Sequence, residues 1–133
     1  MTSRAAAFGA LLPAVLLMTS CHRPSAATDY DVVIEWKMAP AVPLVDRESV
    51  GEFTLLDRSR RPLPGATLQV EGRMQHPGMA PLIEPAREHG PGVYVTRLTF
   101  TMAGAWDLSV TGSLRDGQRL RRRVGGLLVG SQE

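Results

Sequence analysis

Beyond residue 30 the chain repeats one pattern: short runs in which every second residue is apolar, separated by clusters of Pro, Gly and Asp. Residues two apart share a face of a strand, so each run reads as a half-buried strand. A helix would need a 3.6-residue recurrence, and no segment carries it convincingly. In residues 31–37, Val32, Ile34 and Trp36 fall on one face, Asp31, Glu35 and Lys37 on the other, and Val33 breaks the pattern. Further strands are expected over residues 50–56, 67–74, 93–101, 105–111 and about 118–129. The turn-rich stretch 60–65 separates the second from the third, and Asp116-Gly117 is a hairpin signal before the last. Tyr94, Leu98 and Phe100 share a face, as do Trp106, Leu108 and Val110, and Leu120 and Val124. Six or seven short strands in roughly 100 residues predict an all-β fold, an immunoglobulin-like antiparallel β-sandwich.

The first twenty residues have a different character. Arg4 precedes an apolar run over residues 5–17, too short to cross a bilayer as a helix, for which ~20 residues are needed. The run ends in Leu17-Met18-Thr19-Ser20-Cys21, which resembles the bacterial lipobox, with Met18 where Leu, Val or Ile is usual. Residues 1–20 are therefore expected to be a lipoprotein-type signal peptide. Cys21 would be the lipidated residue, residues 21–29 a small, polar tether, and residues 30–133 the folded domain. The chain has one Cys, which excludes an internal disulfide framework. Plain secretion is the alternative reading of the leader. No later segment is apolar for long enough to span a membrane, so acyl chains would be the membrane anchor.

Charge excludes a dedicated nucleic-acid binder. The 15 basic and 13 acidic side chains are interspersed, and removal of residues 1–20 takes away Arg4 alone. Arg119, Arg121 and Arg123 share one strand face with no aromatic residue between them to stack on bases, so they read as a solvated face, with an anionic surface as the alternative. An enzyme is not expected. There is no local Ser-His-Asp setting, no phosphate-cradling loop and no obvious carboxylate pair, and Val124-Gly125-Gly126-Leu127 lacks a nucleotide motif's spacing.

Chemistry concentrates in residues 72–81, where Met74, His76 and Met79 crowd together. At the end of a strand Met74 and His76 project to one side, and Pro77-Gly78 suits a type II turn that returns Met79 toward His76. Two thioethers and an imidazole form a soft donor set that favours copper over zinc, magnesium or calcium. Met102, at another turn, is a candidate fourth ligand; Met38 and His89 are weaker ones, and His22 lies in the tether. The plain alternative is that Met74 and Met79 pad the core, His76 is a surface residue and Pro-Gly is only a turn.

Residues 74–81, then Gly90-Pro91-Gly92-Val93-Tyr94, then residues 100–108 with Phe100, Met102, Gly104 and Trp106, resemble the YtkA-like and FixH-like family over about residues 30–129. The resemblance implies a small immunoglobulin-like domain outside the cytoplasm, with some members linked to copper handling or cytochrome oxidase assembly. Under it, Met74, His76, Met79 and Met102 would carry the metal role. Gly104 would serve a turn, Trp106 would fill the core, and Tyr94 would hydrogen-bond backbone as a tyrosine corner does. FixH-like members are usually held by a transmembrane helix, where this chain has Cys21. The expected protein is thus a lipid-anchored copper-binding or copper-delivery module of the bacterial envelope, facing the periplasm or exterior. Its partners would be the membrane and an envelope protein such as a metal acceptor or oxidase subunit. The alternative is an envelope protein-interaction or assembly module that binds no metal.

Overall fold

The computed structural model describes residues 32–132; the expected signal peptide, Cys21 and the tether with His22 lie outside them. Seven strands follow one another: β1 (Val33–Ala39), β2 (Glu48–Leu56), β3 (Thr67–Met74), β4 (Leu82–Gly90), β5 (Val93–Thr99), β6 (Gly104–Ser113) and β7 (Arg119–Val129). Their spatial order is β1-β2-β5-β4-β3-β6-β7, every neighbouring pair antiparallel. This is an immunoglobulin-like all-β sandwich, as the alternation predicts.

Period-two burial explains the core. Val32 just before β1 and Met38 on it, Phe53 and Leu55 on β2, Val70 on β3, Tyr94 and Leu98 on β5 and Trp106, Leu108 and Val110 on β6 are buried, while the residues between these pairs along β2, β5 and β6 are mostly less buried. The Trp36 ring stacks on Phe53 with centroids 6.2 Å apart, and its Nε1–H donates to Val124 O at 3.0 Å. That bond, with the parallel bridge Leu44–Gly130, draws β7 alongside β1 and nearly closes the sheet on itself.

Two features depart from the expected pattern. The first is β4, which the alternation did not reveal. Its residues are mostly exposed or half-buried, and Pro85 argues against a strand paired on both sides. Its first half pairs with β3 through Leu82–Ala86 and its second half with β5 through Arg87–Gly90, so it passes from one sheet to the other. Pro85 lies where only the β3 side is paired, and its carbonyl accepts instead from the Thr96 hydroxyl at 2.9 Å. The second is a bulge in β7: Leu120 and Val124 keep the inward face, but beyond Val124 the buried residues are Leu127 and Val129. One extra residue there inverts the alternation.

Tyr94 ties the far end of the sandwich. Its hydroxyl donates to Leu63 O at 2.8 Å and accepts from Ala66 N–H at 2.9 Å, pinning the segment between β2 and β3. Burial, and then the adjacent Glu88 carboxylate, push this phenol up to about 12.

Candidate functional site

Strands β1, β3, β5 and β7 run in one direction and β2, β4 and β6 in the other, so the connections segregate into two ends. One end collects residues 40–47, 75–81 and 100–103 and the tail after β7. Met38, Met74, Met79 and Met102, all the methionines among the described residues, lie at this end.

Met74 closes β3 opposite Trp106 of β6. It is half-buried and packs on the core, and its methyl carbon occupies the space in front of Gly104: a Cβ there would lie 2.6 Å from Met74 Cε. Gly104, at φ +125°, thereby serves both the turn and the seating of this thioether. The Pro77-Gly78 turn forms as expected, with Gly78 at φ +82° and Met79 N–H directed to His76 O at 3.4 Å. Met79 is half-buried against the core. His76 is exposed, its Nδ1 3.1 Å from Pro77 O. Thus one turn joins His76 to Met79, and packing joins Met74 to the Met102–Gly104 segment.

The spacing of Phe100, Met102, Gly104 and Trp106 has a physical meaning. Phe100 and Trp106 are buried and meet edge to face at 5.2 Å, and the indole N–H donates to Met102 O at 3.0 Å. The backbone of Met102 is therefore fixed while the residue stays 38% exposed. Met38 is buried, which makes it a core residue at this end, and His89 sits near the opposite end of the sandwich. The gathering of Met38 with the other three was not legible in residue spacing, because it depends on strand order.

Loop 75–81 contains no acidic or basic side chain other than His76. Its anchor to the sheet is Gln75, whose Nε2 donates to Asp107 Oδ2 at 3.4 Å. Asp107 also accepts from Arg123, and that guanidinium, followed by Gln75, lowers its carboxyl pKa. Among the described residues no three His, Cys, Asp or Glu side chains are grouped to hold a metal, so sulfur would have to supply any site here.

Comparison with known proteins bears on the family. Residues 25–111 match the YtkA-like family, a stretch that ends within β6 and leaves β7 outside it. No match was found among curated protein sequences. Among solved structures the chain is similar to part of MtrC from Shewanella baltica OS185, with TM-score 0.46 and 10% identity, over 74% of this chain and 22% of that one.

Proposed function

The chain belongs to the YtkA-like family, and from that membership and the methionine-lined end of the sandwich we propose an exported, lipid-anchored copper-binding accessory or delivery protein. The supporting observation is the common location of Met74, His76, Met79 and Met102 around an otherwise uncharged loop. Thioethers are soft, neutral donors that suit Cu(I), and imidazole accommodates either copper oxidation state. A bound copper would supply a transferable soft cation. The chain's own residues supply the rest: the Pro77-Gly78 turn positions His76 and Met79, and Trp106 holds the Met102 backbone. Exposed Met102 and Leu128 give this end an apolar rim against which an acceptor protein would rest.

The test is a Cu(I) titration against a competing chelator. Met74→Leu, Met79→Leu and His76→Ala together delete both sulfurs and the imidazole while leucine retains the packing volume. Affinity should fall by about 100-fold or more, given roughly 10–100-fold for lesser perturbations of metal sites. Unchanged affinity in a folded variant would refute the site. A second expected result concerns the anchor: with membranes washed at high salt to screen surface charge, Cys21→Ala should move the protein from the membrane fraction to the soluble one, and persistence with the washed membranes would show that Cys21 is not the anchor.

The alternative, a metal-independent interaction module, draws on the 62% exposure of Leu128 at the same end. It predicts partner capture that is indifferent to chelator and abolished by Leu128→Asp.

A further inference from the structure

A broad concavity lies away from the methionines. It is an open groove of about 930 Å³ on the outer face of β3, β6 and β7. Cross-strand rows build it: Gln69, Thr111 and Arg121 stand side by side, as do Thr67, Ser113 and Arg119. The neighbouring row is neutralised internally, since Glu71 pairs with Arg73 and, one step further along β6, Asp107 pairs with Arg123. Arg119 and Arg121 have no such partner among the described residues. Their α-carbons are about 7 Å apart on an exposed strand face, and no acidic residue occupies their rows. Beneath them the Thr111 hydroxyl is buried without a hydrogen-bond partner.

The position of this groove suggests its occupant. β7 runs parallel to β1, with Trp36 bonded to Val124, which places the start of β7 level with the start of β1. The chain therefore enters the fold beside the unpaired arginines, at the end remote from Met74 and Met102. Only ten residues lie between Cys21 and Val32, a reach of at most about 40 Å. We propose that this groove binds the headgroup of an anionic phospholipid, with Arg119 and Arg121 receiving the phosphate oxygens and Thr67, Gln69 and Ser113 bonding headgroup hydroxyls. A basic patch beside a lipid anchor adds electrostatic attraction to anionic headgroups. The groove would hold the tether end against the lipid and leave the methionine end pointing outward. The placement of the membrane rests on the anchored reading; the arginine–phosphate contact does not, and its test uses the chain without the anchor.

Residues 22–133, which contain all seven strands, should cosediment at low salt with vesicles of equal parts phosphatidylglycerol and phosphatidylcholine, and not with phosphatidylcholine alone. Arg119→Gln with Arg121→Gln should weaken partitioning about fivefold per arginine. Arg47→Gln with Arg97→Gln, the same charge change at the methionine end, should leave it unaltered. The proposal fails if both double variants lose binding equally, if neither does, or if neutral vesicles bind as well. It fails also if inorganic phosphate at matched ionic strength saturates the groove while anionic vesicles do not bind.

Discussion

Gly112→Ala should cost the domain about 3 kcal/mol or more, lowering the thermal midpoint by on the order of 15 °C. The cause is not the loss of a contact but the arrival of one. A Cβ at residue 112 would lie 2.0 Å from Thr67 O and 3.0 Å from Leu68 Cα, both backbone atoms of the adjacent strand, and φ there is +153°. A side chain could swing aside; a paired strand cannot without breaking its ladder. Gly117→Ala is the control. It also has positive φ, +85°, but opens onto empty space, so it should cost only the ~1–2 kcal/mol of a left-handed non-glycine residue. If chemical denaturation gives equal losses for the two variants, the close approach of β6 to β3 is wrong.

Trp106→Ala should be comparably severe, at about 3–5 kcal/mol, because it empties a site that is 2% exposed and packed against Phe100. Trp106→Phe separates packing from hydrogen bonding. It keeps an aromatic ring but deletes the N–H that holds Met102 O, so it should cost about 1–3 kcal/mol, combining that lost bond with reduced burial. If urea unfolding shows the Phe variant as damaged as the Ala variant, the ring contact with Phe100 contributes little. The functional consequence follows from the same bond: a loosened 100–103 turn no longer presents Met102 in a fixed place at the methionine end.

Much of this fold is readable in the residues. Alternating Trp106, Leu108 and Val110 mark an inward face without reference to any other strand, and Pro77-Gly78 carries the dihedral preferences of its turn. β4 is not legible in the sequence because its signal is divided. Half of it pairs with β3 and half with β5, so neither sheet imposes alternation along its whole length, and Pro85 reads as a breaker. The shift of β7 to the odd-numbered face at Leu127 is hidden for a related reason: a one-residue bulge changes no composition.

The candidate site divides similarly. Met74, His76 and Met79 announce themselves by proximity in the chain, and so does the turn between the last two. What Met74 touches is another matter, since Gly104 lies thirty residues away and reaches it only because β3 and β6 are neighbours. Likewise, the sequence shows arginines alternating along residues 119–123, but not that Arg123 finds Asp107 while Arg119 and Arg121 face no acid.

Taken alone, then, the order of residues determined which segments are strands, which side of most of them is apolar and where several turns fall. All of these depend on dihedral preference and on neighbours one or two positions away. Strand order, the gathering of four methionines at one end and the separation of that end from the unpaired arginines were decided by tertiary pairing. Hydrogen bonding between strands is nearly indifferent to side-chain identity, so the choice of partners rests on burying all the apolar faces together, a condition no single segment contains.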